Sequence, residues 1–309
     1  MNKATCYARG YLQRPTCGTT QFGWDFQVNV TTGGLDALAT IFGVVLLPAD
    51  QASNLTLAGG TNYLPRDSFI LAADSKERYG RTLSFARRTW AVKEAPLPVG
   101  PGPNRFSSDP NDVWVDGNGK LHLTIHQRDS DWFCTEVFLT ESLGYGKYLF
   151  QTSSRVDALD SKAVFGIFTW DGYGDPSLPA GRQNREIDFE DSRWDNPANS
   201  NNSQFVVQPW DTPGNRNQFQ LPDLSADAKL TRILTWKSDQ LHFIVVRGHH
   251  TFDDYSPSDI VTEWTYGGQI PQPGQERWRF NLWLINGSNP AGNGELEVVV
   301  DDFQFSPEP

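Results

Sequence analysis

The chain has 309 residues, enough for a sizeable core, and because all-β sandwiches run past about 200 residues as one unit it needs only one large domain and an appendage. A formal net charge of -11 and a pI near 4.9 would repel a phosphate backbone or an anionic membrane, so neither nucleic acid nor a membrane is an expected partner. With 11 tryptophans, 13% aromatic residues and a mean hydropathy of -0.49, the chain is water-compatible yet carries more flat side chains than a core needs, so some should serve a binding surface.

Residues 1–81 lack sustained periodicity and read as an N-terminal extension. Cys6 and Cys17 would form a bridge around their ten-residue spacer if the protein is exported. The run at 41–48, followed by small and polar residues to 53, resembles the apolar core and cleavage zone of a signal peptide. Some 40 residues precede it, Asp25 and Asp36 among them, so a displaced start, an unusual leader and a plain core segment stay open. An extracellular or periplasmic location is the expectation. No stretch has the length of a membrane-spanning helix.

The texture changes at residue 82. From there to 309, short alternating runs are separated by Gly, Pro, Asn and Asp, the pattern of an antiparallel sandwich or barrel. Asp116-Gly117-Asn118-Gly119 predicts a tight hairpin between strands at 113–115 and 121–126. Cys134, within Trp132-Phe133-Cys134, reads as a buried inert thiol. Further strands are predicted at 145–150, 164–170, 186–190, 204–208, 232–236, 241–246, 278–285 and 296–305. The gaps hold no helical crossovers of the kind a parallel sheet requires, so an all-β, two-sheet antiparallel sandwich is expected. His249 and His250, adjacent in the chain, would point to opposite sides of a strand and have no third ligand at a recognisable spacing, so no metal site is predicted.

The chemistry concentrates in Glu186-Ile187-Asp188-Phe189-Glu190. Side chains alternate faces along a strand, so the three acids share one face while Ile187 and Phe189 turn to the core. Mutual repulsion at this spacing raises at least one pKa, which is how a proton donor stays protonated near neutral pH beside an ionised neighbour. The span is the obstacle: Cα atoms four residues apart on a strand lie about 13 Å apart, whereas a nucleophile and its acid partner in glycoside hydrolysis need carboxyls about 5–5.5 Å apart. Leaning side chains on a concave sheet would close the gap. In 278–284 the alternation sends Phe280, Leu282 and Leu284 inward and Arg279, Asn281 and Trp283 to the other face. Gln204, Gln208 and Trp210 share a face opposite Phe205 and Val207, Trp170 closes an apolar run before the acids, and Trp194 follows them. Several strands thus offer the polar and aromatic faces that an oligosaccharide groove requires.

Arg185-Glu186-Ile187-Asp188-Phe189-Glu190 resembles the Glu-x-Asp-x-Glu signature of glycoside hydrolase family 16. The likeness extends to Leu143-Gly144-Tyr145-Gly146-Lys147-Tyr148, to Phe165-Gly166-Ile167-Phe168-Thr169-Trp170 and to Phe280-Asn281-Leu282-Trp283, covering about residues 82 to 306. The resemblance implies a concanavalin-like jelly roll over 82–309 and a retaining hydrolase or transglycosylase, expected as a monomer, acting on a β-glucan-type polysaccharide. It implies Glu186 as nucleophile, Glu190 as general acid/base and Asp188 as the residue that tunes the nucleophile, with Trp170, Trp194, Gln208, Trp210, Arg279, Asn281 and Trp283 on the substrate. No cofactor or catalytic metal is required, and a structural calcium, present in some members, is left open. Arg185 and Asp191 depart from the family pattern on either side of the triplet. The competing expectation is a carbohydrate-binding sandwich that breaks no bond.

Overall fold

The computed structural model describes residues 78–308; Cys6, Cys17, the leader-like run and the rest of residues 1–77 lie outside them. Chain order is β1 (Arg78–Phe85), β2 (Arg88–Val99), β3 (Asn104–Phe106), β4 (Val113–Val115), β5 (Leu121–Arg128), β6 (Asp131–Leu139), β7 (Gly146–Ser153), β8 (Ala163–Trp170), β9 (Ile187–Asp191), β10 (Ser203–Val207), β11 (Arg216–Phe219), β12 (Lys229–Trp236), β13 (Leu241–Arg247), β14 (Ile260–Tyr266), β15 (Arg277–Leu284) and β16 (Leu296–Pro307). Helical structure among the described residues is limited to three-residue 3-10 turns.

The strands form two layers. The front sheet runs β1-β2-β6-β15-β8-β9-β10-β11 and the back sheet β4-β5-β16-β7-β12-β13-β14. Every pair is antiparallel except β3 with β6. The β5–β6 hairpin, where His126 faces Phe133, carries the chain from the back layer to the front. The four-residue loop predicted after β4 is present: the amide of Gly119, at φ 82°, donates to the Asp116 carbonyl at 3.0 Å. This is the two-sheet antiparallel sandwich expected from the alternating runs, and it agrees with the jelly roll that the resemblance implies.

The core lies between the layers, and a chain of aromatic contacts runs through its aliphatic packing. Phe189 of β9 meets Phe243 of β13 at 5.2 Å between ring centroids and Phe150 of β7 at 5.9 Å, and Trp278 of β15 meets Phe150 at 4.8 Å. Edge and tilted contacts of this kind add to the burial of large apolar surfaces. Cys134 is a free, buried thiol whose pKa is pushed up to about 12 by burial. Because Ile187, Phe189 and Asp191 point into this core, the intervening acids of β9 must point out of the front sheet.

Asp191 is the exception within the core. It meets the Arg232 guanidinium of β12 from the opposite sheet, both side chains being 1% exposed, and Ser203 Oγ donates to it at 2.7 Å. Arg232 also donates to Thr152 Oγ1 at 3.1 Å. Removing one partner of such a pair strands a buried charge, whereas apolar replacement of both is tolerated. Asp191→Ala is therefore expected to cost about 3–5 kcal/mol in urea unfolding, and the double change Asp191→Leu with Arg232→Met to recover most of that loss.

Candidate active site

The outward face of the front sheet is organised in rows that run across the strands. One row joins Gln204 of β10, Glu190 of β9, Gly166 of β8, Asn281 of β15 and Glu136 of β6 through the ladder register. The next joins Asp188, Phe168, Arg279 and Phe138. Gly166 keeps the first row open, because a Cβ there would stand 2.4 Å from Asn281 Oδ1. Glu186 lies one residue before β9, and its carbonyl accepts from the Gln208 amide at 3.2 Å, so it continues the line of acids.

Above these rows is a cleft of about 740 Å3, and Glu186, Asp188, Glu190, Trp170, Trp194, Gln208, Trp210, Arg279, Asn281 and Trp283 all line it. Within this set the structure separates two layers. Arg279 and Asn281 are buried in the floor, where Arg279 Nη1 bonds Glu136 Oε1 at 2.8 Å and Asn281 Nδ2 reaches Glu136 Oε2 at 3.5 Å. Lys93 Nζ completes the group, bonding Glu136 Oε2 at 3.1 Å and the Gly100 carbonyl at 2.8 Å while standing 4.0 Å from the centre of the Phe106 ring. Trp170, Trp194 and Trp283 are half-buried walls, and Trp210 is 54% exposed at the rim with the Arg216 guanidinium 5.1 Å from its ring centre.

Lys93, Glu136, Phe168 and Arg216 line the cleft and were not singled out from the sequence. The available signal was a charged residue inside an apolar strand run, as in Ala91-Val92-Lys93 and Glu136-Val137-Phe138.

Two residues are set by local backbone. Trp194 and Asp195 both take left-handed conformations, φ 55° and 59°, which bulky residues seldom adopt and which cluster where a side chain must be aimed. The Trp194 amide is held by Ser192 Oγ at 2.9 Å and the Asp195 amide by the Ser161 carbonyl at 2.7 Å. Gln208 is a bridge: its Nε2 donates to Asp188 Oδ2 at 3.2 Å and its Oε1 accepts from the Trp210 amide at 2.9 Å.

Asp188 is buried and Glu186 and Glu190 are half-buried, and this loss of solvent is the first cause of their raised titration. Burial first, then repulsion from Glu190, pushes Glu186 up to about 8, against a hydrogen bond from Asp188 and the charge of Arg279. Asp188, 2% exposed, is held well above the usual carboxylate range by burial and by repulsion from both glutamates. Burial pushes Glu190 up to about 7, opposed by the hydrogen bond that Gln204 Nε2 donates at 2.7 Å and by the charge of Arg216. Both midpoints lie near neutral pH and the two glutamates titrate as a coupled pair, the higher midpoint being that of Glu186, so one proton can be shared between them there. Among the described residues no group of three or more His, Cys, Asp or Glu is arranged to hold a metal.

Neither a protein-family model nor a curated protein matches the sequence. Solved structures do match the fold. A Bacillus licheniformis β-glucanase is 18% identical, with 71% of this chain and 92% of that one covered and a TM-score of 0.52. A Bacteroides ovatus mixed-linkage glucan GH16 protein, solved with a G4G4G3G product, is 14% identical over 70% of this chain and 94% of that one, with a TM-score of 0.51. A Mycobacterium tuberculosis immunostimulatory antigen and pseudo β-1,3-glucanase is 16% identical over 71% and 91%, also with a TM-score of 0.51. The chain has the jelly-roll fold of the family-16 β-glucanases.

Each raised acid binds its proton more tightly in the folded chain than in the unfolded one. Unfolding therefore releases protons between about pH 4.5 and about 8, and stability falls as pH rises through that window. Glu190→Gln, which cannot ionise, is expected to raise the melting temperature at pH 8 by roughly 2–4 °C and to leave it near the wild-type value at pH 5. Differential scanning calorimetry at the two pH values checks the sign.

Proposed function

We propose that the protein is a retaining glycoside hydrolase that cleaves internal β-linkages of a glucan-type polysaccharide. The observation that carries this reading is the row of three desolvated, mutually repelling acids at the floor of a tryptophan-walled cleft. The fold shared with the β-glucanases supports it, as does the Bacteroides ovatus protein bound to a glucan product.

The neighbours of each acid suggest its part. Asp188, holding a proton, hydrogen-bonds Glu186, and Arg279 lies close enough to favour charge there, so Glu186 is the nucleophile. Glu190 is then the general acid/base, and it must carry the proton once substrate is bound, although in the free protein the higher midpoint is that of Glu186. In the first step Glu190 gives that proton to the glycosidic oxygen while Glu186 attacks the anomeric carbon, forming a glycosyl ester and releasing the leaving sugar. In the second, ionised Glu190 takes a proton from water, or from the hydroxyl of an acceptor sugar, whose oxygen displaces Glu186 and restores both acids. Two inversions return the original anomer. Gln208, by holding Asp188 on one side and the Trp210 amide on the other, ties the nucleophile's partner to the wall on which a sugar ring would stack.

A panel of barley glucan, lichenan, laminarin, xyloglucan and agarose tests the reading by release of reducing sugar. The wild type is expected to act on at least one β-glucan, Glu186→Gln to abolish turnover with folding unchanged, and Glu190→Gln to lower kcat by about 10²–10⁴-fold. Proton NMR of the first product should show retention. Binding of the same polymers without turnover would instead support the carbohydrate-binding reading; a protein described as a pseudo β-1,3-glucanase shares this fold.

A further inference from the structure

The start of β9 is held by a strained residue tied down on three sides. Arg185, immediately before Glu186, takes a left-handed backbone with φ 51°, a conformation that a residue with a long side chain keeps only when its surroundings hold it there. The guanidinium does the holding. Nη1 bonds Asp171 Oδ2 at 2.5 Å, Nη2 bonds Asp175 Oδ2 at 2.6 Å and Nε donates to the Gln272 carbonyl at 2.9 Å. One side chain, only 11% exposed, thereby joins the loop after β8, the segment before β15 and the start of β9.

The parts it grips are themselves fixed. Asp171 is buried and accepts from the amides of Tyr173 at 3.1 Å and Gln275 at 3.3 Å. Thr169 Oγ1 donates to the Arg185 carbonyl at 2.8 Å and accepts from the Ile187 amide at 2.9 Å, so a single hydroxyl pins the main chain on both sides of Glu186. The seat for the guanidinium exists because residue 274 has no side chain: a Cβ on Gly274 would stand 2.6 Å from Arg185 Cζ. Arg185 is not among the residues lining the cleft, so it has no route to a bound sugar except through its neighbour.

We infer that Arg185 is a positioning residue, whose three-point anchor seated over Gly274 fixes the backbone of Glu186 and thereby the place of its carboxyl beside Asp188. Its kinetic consequence rests on the retaining-hydrolase reading, while its structural consequence does not. A guanidinium suits the task because its planar fork meets two carboxylates and a carbonyl at once, which a lysine ammonium on a flexible stem does not reproduce.

The test compares the wild type with Arg185→Gly, Arg185→Lys and Gly274→Ala. Glycine adopts φ 51° without steric cost, so Arg185→Gly removes the anchor and little else. It is expected to lower kcat on the best substrate of the panel by on the order of 10- to 100-fold, with KM changed by less than about threefold. Gly274→Ala keeps every charge but displaces the guanidinium, and should lower kcat in the same direction. Arg185→Lys should recover part of the loss.

The second readout is the Glu186 carboxyl, followed by 13C NMR in selectively labelled protein. Its midpoint, at about 8 in the wild type, should move down in Arg185→Gly and Gly274→Ala as a loosened strand admits water. Wild-type kcat and an unmoved midpoint in both variants would overturn the inference, and so would a loss confined to KM. If the wild type turns over nothing on the panel, the hydrolase reading fails, and the titration still decides: a moved midpoint supports positioning by Arg185 and an unmoved one refutes it. Should Arg185→Gly fail to fold, Gly274→Ala and Arg185→Lys carry the same comparison.

Discussion

A carboxylate moved from water into a protein interior costs several kcal/mol unless a cation pairs with it or a proton neutralises it. The front sheet uses both solutions, and where it uses each one separates scaffold from chemistry. Asp191, turned into the core, is neutralised by Arg232 from the opposite sheet. Glu136, in the floor of the cleft, lies between Lys93 and Arg279. Asp188 is buried and Glu186 and Glu190 are half-buried, with no ion pair to any of the three among the described residues, so they retain protons at pH values where a solvated acid has lost them. Protonation is reversible near neutral pH, and a reaction that moves a proton twice needs that reversibility.

The surrounding structure keeps this arrangement narrow. Packing of Phe189 against Phe150 and Phe243 fixes the inward face of β9, so its outward face can only be the acids. Gly166 leaves space over the first row, Gln204 and Gln208 donate to two of the three acids, and Arg216 sits over Trp210 at the rim. The aromatic walls and the three acids then meet in one cleft.

Strands whose two faces differ were legible from alternation alone. β9, β10 and β15 carry apolar residues inward and polar or aromatic ones outward, and their site residues were placed on the right face within one residue of the observed boundaries. β6 was missed because it is buried on both sides: Thr135 and Glu136 sit in an unbroken buried run, and the period-2 signal disappears when a charge network covers the outer face. β11 was missed for the opposite reason, since Arg216-Asn217-Gln218-Phe219 is a short, mostly polar edge. Asp191 and Arg185 could be read as departures from a family pattern, but not as anchors. The partner of Asp191 lies 41 residues away in Arg232, across the core, and the third anchor of Arg185 lies 87 residues away in the Gln272 carbonyl, separations that only the sheet topology closes. Asp171 and Asp175 are within 14 residues of Arg185, but across a loop with no periodicity to place them. The face of a residue is local information, whereas a partner on the opposite sheet is not.

The most direct measurement is to trap the first intermediate. A 2-deoxy-2-fluoro β-glucan oligosaccharide bearing a good leaving group slows the second step more than the first, and mass mapping of the digested protein then locates any covalent sugar. The expected result is one glycosyl adduct on Glu186 itself, distinguished from Glu190 on the same peptide by fragmentation. Turnover of natural substrate with no adduct, or an adduct on Glu190, would contradict the assignment of the three acids.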